Sequence, residues 1–164
     1  MPPAVRPFSP ADQDQVLPLV LTIQREEFGI PVTAEEQPDL RDIQAHYLDR
    51  GGHFWVATAQ DAVVGTLGLL NIGHGDLALR KMFVAPAFRG PPHGVAAALL
   101  ATALTWGRAN HFQRVLLGTT EQFRAAHRFY EKHGFTPLAP EALPQHFPRM
   151  RLDTRFYSHQ LTTA

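Results

Sequence analysis

The chain has 164 residues, 45% of them apolar, which is enough for one compact domain with a sizeable core and too few to suggest two. Fifteen basic residues balance fifteen acidic ones, so no electrostatic footprint for nucleic acid or a membrane surface stands out. Cysteine is absent, which excludes disulfides, zinc-thiolate sites and a cysteine nucleophile.

The chain opens on Pro2, Pro3, Pro7 and Pro10 with no apolar run, and nowhere do about 18 apolar residues stand together. The expectation is a soluble, cytoplasmic protein folded as a single domain over residues 1–164. Residues 5–8 read as a short strand. Ser9-Pro10-Ala11-Asp12 then supplies an N-cap, a proline at the first helical position and an early acid. Val16, Leu19, Val20 and Ile23 recur at helical spacing, so a helix is expected to run to about Phe28, before Gly29 and Pro31 stop it. A second helix is expected from Glu35 or Asp39 to Arg50, with Leu40, Ile43, Tyr47 and Leu48 on one side and Gly51-Gly52 at its end.

The composition then turns aromatic and β-branched. Residues 54–59 and 63–70, separated by Gln60 and Asp61, predict a hairpin, residues 71–76 the next turn and residues 77–84 a third strand of the same antiparallel run. Residues 95–106 predict an apolar helix running out near Asn110, with Val95, Leu99, Thr102 and Trp106 on one face. A short strand is expected at 115–118. A helix at 124–133 carries Ala126, Phe129, Tyr130 and His133 at helical spacing, and Gly134 takes the left-handed position after it. Residues 135–138 start a strand, 139–148 form a proline-rich excursion and 151–161 the last strand. The order β-α-α-β-β-β-α-β-α-β-β predicts an α/β fold: a mixed, mostly antiparallel central sheet of about seven strands flanked by about four helices.

The segment with the most chemistry is Arg89-Gly90-Pro91-Pro92-His93-Gly94-Val95-Ala96, between a predicted strand and a predicted helix. A chain entering a helix presents unpaired amides and roughly half a positive charge from the helix dipole, a ready seat for an anion such as phosphate. Gly90 and Gly94 permit close approach and turn geometry. An ordinary capping loop satisfies the same octapeptide. The wider order does more to discriminate. Leu77 to Gly90, the helix from His93, the strand Arg114-Val-Leu-Leu-Gly-Thr and Arg124-Ala-Ala-His-Arg-Phe-Tyr-Glu-Lys-His-Gly-Phe135 occur in sequence.

Together these segments resemble the GNAT superfamily of acyl-CoA-dependent N-acetyltransferases, whose pyrophosphate motif is Arg/Gln-x-x-Gly-x-Gly/Ala and whose later helix ends in Tyr-x-x-x-Gly-Phe. The resemblance implies that Met82, Phe83 and Val84 pair with the pantetheine arm of acetyl-CoA. It also implies that the amides of Gly90, His93, Gly94, Val95 and Ala96 hold the pyrophosphate, with Arg89 at the motif's first position. Arg124 is a partner for the nucleotide phosphates or a solvated helix residue. Tyr130 is implied as the proton donor to the departing thiolate, a phenol being protonated at neutral pH; a core tyrosine is the other reading. A strand bulge near Phe83 or Val84 is implied as the source of an amide for the thioester oxygen.

Two positions depart from the family pattern. Pro92 stands where the motif has its first glycine and Pro91 precedes it, so two amide donors are lost and the site is expected to be weakened or retuned. Phe123 stands where relatives often carry a cofactor-binding asparagine. The glutamate that some relatives use as base corresponds to Ala78, and Asp76, Glu26, Glu27, His53 and His74 are candidates by type. Glu26-Glu27-Phe28 and the segment 143–149 fall where acceptors approach in that fold, the first favouring a cation and the second, with Arg149, Arg151 and Arg155, a carboxylate. The nine histidines are scattered, with no pair at helical ligand spacing, so no metal is expected.

The expected function is transfer of an acetyl group from acetyl-CoA to a primary amine, on a small molecule or a peptide, by direct attack in a ternary complex. The alternative is a non-catalytic acyl-CoA-binding or regulatory domain of the same fold. A nucleotide-binding parallel sheet is disfavoured by the uninterrupted strands over 54–84. No nucleic acid or membrane partner is expected, and a homodimer is compatible with the sequence.

Overall fold

Seven strands and five α-helices succeed one another in a computed structural model that describes residues 3–161. Met1, Pro2 and residues 162–164 of the single-domain range lie outside the described residues. The elements are β1 (Ala4–Pro7), α1 (Gln13–Leu21), α2 (Pro38–Arg41), α3 (Ile43–His46), β2 (His53–Ala59), β3 (Ala62–Gly73) and β4 (Asp76–Val84), then α4 (Val95–Ala109), β5 (Arg114–Thr119), α5 (Arg124–Lys132), β6 (Thr136–Leu138) and β7 (Arg155–Gln160). The sheet order is β1-β2-β3-β4-β5-β7-β6. β4 and β5 are parallel, while β1–β2, β2–β3, β5–β7 and β6–β7 are antiparallel. This is the mixed sheet that the element order predicts.

The β2–β3 hairpin turns on Gln60 and Asp61, at φ 52° and 66°. A two-residue loop with both residues left-handed has the twist that flanking strands need. The next turn is tighter than expected: β3 continues to Gly73, and Gly73, His74 and Gly75, all at positive φ, deliver the chain into β4 at Asp76.

The helices depart further from expectation. The first ends at Leu21 and continues as a π-type stretch over Thr22–Glu27, with Phe28 N–H donating to Ile23 O. The second breaks at Asp42, whose φ of −151° leaves the helical region and whose carboxylate accepts from Ala45 N–H. An aspartate able to cap a new helix competes with continuing the old one, so one predicted helix becomes α2, α3 and a 3-10 turn at Leu48–Arg50. In α4, Val95, Leu99, Leu100, Ala103 and Leu104 are buried, whereas Thr102 is exposed and bonds Ala98 O rather than sharing their face. β7 starts only at Arg155, because Asp153 and Met150 exchange hydrogen bonds that hold a turn ahead of it.

The chain divides into two compact units, one holding the chain up to Leu70 with Arg80–Thr105, the other Asn71–Leu79 with the chain from Trp106 onward. The core of the first gathers Phe8, Val16, Val20, Leu40, Ile43, Tyr47, Phe54 and Val56. The rings of Phe8 and Tyr47 meet Phe54 edge-on at 5.7 and 5.2 Å. Gly68 leaves room for this packing, since a Cβ there would lie 2.7 Å from the Tyr47 ring. In the second unit Leu77, Val115, Leu117, Tyr130, Phe135, Tyr157 and Leu161 are buried.

Candidate functional site

In the first unit, β4 ends at Val84, residues 86–88 make one 3-10 turn and the chain reaches α4 through residues 89–94. Gly90 and Gly94 have φ of +99° and +62°, conformations that side chains disfavour. The amides of His93 and Gly94 donate to Gly90 O at 3.1 and 3.2 Å, and Ala98 N–H donates to Gly94 O as the first rung of α4. Within the expected anion-binding set, His93 and Gly94 therefore use their N–H groups inside the turn. Val95 and Ala96 stand in the first helical turn, where amides have no carbonyl four residues back and face the positive end of the dipole.

Arg89 closes this turn from outside. Its Nε donates to Val84 O at 2.8 Å, and its two terminal nitrogens form a forked pair with the Glu27 carboxylate, Nη2 lying 2.7 Å from Oε1. The arginine expected beside the phosphates is thus held by a carboxylate, and Glu27, one of the candidate bases, is occupied by a cation.

Just before Met82, Lys81 interrupts β4 with φ +54°. A left-handed residue in mid-strand departs from the regular pleat, next to the positions where the resemblance asks for a bulge. Its carbonyl accepts from the buried Thr66 hydroxyl at 2.7 Å, and its Nζ donates to Gln37 Oε1 at 2.8 Å and lies 3.8 Å from Asp39. Asp39 accepts from the Tyr47 hydroxyl at 2.6 Å. Burial pushes its carboxyl upward, but Lys81, Arg80 and the Tyr47 hydroxyl hold it below the usual range. Gln37 and Gln24 exchange side-chain hydrogen bonds at 2.9 and 3.0 Å, completing a buried polar network around Lys81. Met82 and Phe83 are half-buried and Val84 is buried.

In the second unit α5 begins at the exposed Arg124, with Phe123 as its N-cap, and carries Tyr130 at 6% exposure. The Tyr130 ring packs on Phe135 and Tyr157 at 5.5 and 6.0 Å. Its hydroxyl makes no hydrogen bond among the described residues. Burial, and secondarily Tyr157, raises its pKa well above that of a free phenol. Tyr157 differs: its hydroxyl donates to Glu131 Oε2 at 2.7 Å.

The β5–β7 register pairs Leu117 with Tyr157 and Gly118 with Phe156. Paired residues share a face and neighbours along a strand alternate, so Tyr130, against Tyr157, lies on the Leu117 face. On the opposite face Phe147 of the excursion meets Phe156 edge-on at 6.1 Å, and Arg149 lies over the same ring at 4.9 Å. That face also carries Asp76 and Arg114, which are register partners at the start of β4 and β5. Arg114 Nε and Nη2 donate to the two Asp76 oxygens at 2.8 and 3.1 Å, and His146 Nε2 lies 2.7 Å from Asp76 Oδ2. Burial pushes the Asp76 carboxyl up, but Arg114 and His146 hold it below its ordinary range. The His74 ring packs against His146 at 4.4 Å, tilted by 33°. Sequence reasoning proposed Asp76 and His74 singly and placed His146 in the acceptor segment; separations of 38 and 70 positions gave no local signal that they meet.

Buried His127 lies 2.8 Å from Thr120 O through Nε2 and 3.2 Å from Arg155 Nη1 through Nδ1. A guanidinium only donates, so Nδ1 accepts, Nε2 carries the hydrogen and the ring is neutral. Burial first, and the Arg155 charge against the Thr120 carbonyl, lower its pKa below 6.5. The unfolded chain therefore takes up a proton that the folded chain refuses, and stability falls as pH drops below about 6.5. The carboxylates of Asp12, Asp39 and Asp76, lowered from 3.8, add their loss only in stronger acid. The melting temperature is expected to fall already between about pH 7 and 5, and His127→Gln to flatten that part of the melting profile.

Among the described residues no three His, Asp or Glu side chains gather as a metal site, and no helix is long and apolar enough to cross a membrane.

A kinked strand, an amide-presenting turn and a helix, followed by a buried phenol on a later helix, define an acyl-CoA N-acyltransferase fold. Residues 17–135 match the model of the acetyltransferase (GNAT) family, and the chain belongs to that family. The structure of an acetyltransferase of the GNAT family from Staphylococcus aureus is 31% identical and superposes with a TM-score of 0.93, covering 98% of this chain and 99% of that one. N-acetylaspartate synthetase of Danio rerio is 38% identical over 99 residues, 59% of this chain and 34% of the relative. This chain spans between a third and a half of the length of the curated relatives it matches first. The PaiA N-acetyltransferase of Thermoplasma acidophilum, in complex with coenzyme A, shares the fold at 15% identity with a TM-score of 0.73, covering 98% of this chain and 99% of that one.

Proposed function

We propose that this chain is an N-acetyltransferase that moves the acetyl group of acetyl-CoA to a primary amine by direct attack in a ternary complex. The observation that carries this reading is the unbonded hydroxyl of buried Tyr130 within a chain of this family. A phenol kept protonated by burial, with no structural bond to lose, suits protonation of a departing thiolate. Met82, Phe83 and Val84 are assigned to the pantetheine arm. Gly90, Val95 and Ala96 present backbone amides to the pyrophosphate, with His93 and Gly94 shaping the turn and the missing donors of Pro91 and Pro92 leaving fewer contacts than the family motif supplies. Arg89 acts through its clip to Glu27 and Val84 O, and Arg124 meets the nucleotide phosphates.

The acceptor is a primary amine on a small molecule or a peptide. The name of the N-acetylaspartate synthetase relative points to amino acids, and Arg149, over the Phe156 ring, offers a carboxylate partner. The same reading takes residues 1–164 as one catalytic domain, supported by the near-complete overlap with the 31% identical structure, and places it in the cytoplasm, which its lack of cysteine suits.

Calorimetry with acetyl-CoA, CoA and NAD, followed by thiol release over a panel of L-aspartate, L-glutamate, spermidine and a lysine peptide, tests this. CoA ligands are expected to bind, NAD not, and at least one amine to release thiol. Binding without turnover would favour a non-catalytic acyl-CoA-binding domain. No binding at high micromolar concentration would sink both readings.

A further inference from the structure

Amine attack on a thioester needs a base as well as an acid, because a primary amine arrives mostly as its ammonium form at neutral pH. Position 78, where some relatives carry a glutamate, is a buried alanine that cannot serve. Two residues earlier on the same face of β4, Asp76 holds His146. Ionised Asp76 only accepts hydrogen bonds, so at 2.7 Å His146 Nε2 must carry the hydrogen. In the neutral ring Nδ1 is then the atom with a lone pair. The groups facing His146 are Asp76 on β4, Arg114 on β5 and His74 in the preceding turn. Asp76 is shared with Arg114, which keeps it ionised, and the His146 side chain is 25% exposed, so the ring is oriented by the carboxylate and is not sealed from solvent.

We propose that His146, oriented by Asp76, is the general base that takes the proton from the acceptor ammonium. This rests on the acetyltransferase reading above. His146 Nδ1 takes one proton, and the freed amine nitrogen forms its bond to the acetyl carbon. The C–S bond breaks, and sulfur takes the Tyr130 proton. The second proton lost from nitrogen replenishes Tyr130 through water, and His146 releases its own to solvent. The products are the N-acetyl amine and CoA thiol, and no redox partner is needed. The register places His146 on the Asp76 face and Tyr130 on the Leu117 face of the same unit. Base and acid therefore serve different atoms, nitrogen and sulfur, without exchanging the proton directly.

The test is the pH profile of kcat/KM for wild type, His146→Gln and His146→Ala, with melting curves for each and imidazole added to the alanine variant. The expected result is a loss of about a hundredfold in kcat/KM, disappearance of the acidic limb of the profile, and partial recovery with imidazole. A merely structural latch would lower the melting temperature and leave the shape of the profile intact, and that outcome overturns the proposal, as does wild-type kcat/KM in either folded variant. If wild type binds acetyl-CoA but turns over no amine, the enzyme reading fails first and this assignment falls with it. Turnover by wild type with an unmoved profile in the variants sinks this assignment alone.

Discussion

Tyr130→Phe is expected to lower kcat by about a hundredfold to ten-thousandfold while leaving KM for acetyl-CoA and the melting temperature close to wild type. The separation follows from what the hydroxyl touches. The ring packs between Phe135 and Tyr157, and phenylalanine preserves those contacts. The oxygen has no partner among the described residues, so its removal leaves no orphaned donor or acceptor behind. A group that interacts with the leaving sulfur only as negative charge builds there lowers kcat without weakening the ground-state complex. Tyr157→Phe is the matched control. Its hydroxyl is committed to Glu131, so its loss is expected in stability rather than in turnover. Thiol release at saturating acetyl-CoA, with a melting curve for each variant, decides it: a Tyr130→Phe enzyme within threefold of wild-type kcat removes the general-acid assignment.

The parts of this fold that were legible in the sequence are those set by local chemistry. Gln60-Asp61 between two β-rich runs gave the hairpin, and Gly134 after α5, at φ +93°, gave the helix stop. The turn at Gly90–Gly94 was legible as glycine between strand and helix. What was hidden depended on partners far along the chain or on a residue acting against its type. Asp42 ended a helix by capping the next one, a choice that hydrophobic periodicity does not register. Arg89 was legible as the first residue of the motif, but its pairing with Glu27, 62 positions away, was not. The left-handed residue in β4 gave no signal in the sequence, because it is a lysine and not a glycine. Asp76 and His146 had no motif at all, and only the path of the excursion brings them together.

That lysine leads to the largest stability effect. Asp39→Ala is expected to destabilise the protein by about 3 kcal/mol or more, the cost of leaving a buried charge without its counter-charge. For a chain of this size that corresponds to a fall in melting temperature of roughly 6 to 12 °C. Lys81 and Asp39 are each about a tenth exposed at the side chain, and Tyr47, fully buried, has its hydroxyl on the same carboxylate. Removing the carboxylate takes away the acceptor of the Tyr47 hydroxyl and the counter-charge beside Lys81. A non-glycine residue at φ +54° is itself strained by about 1 kcal/mol or more and persists only where its surroundings fix it. Here the Thr66 hydroxyl on its carbonyl and Gln37 on its ammonium do so. Two further variants separate charge from strain. Lys81→Met with Asp39→Ala removes both charges, so the double variant is expected to be more stable than Asp39→Ala alone. Lys81→Gly keeps the left-handed backbone at no steric cost, so its loss measures the ammonium and its stem. Melting curves of wild type, Asp39→Ala, Lys81→Met and the double variant close the cycle, and strictly additive losses would show that Lys81 and Asp39 do not support one another.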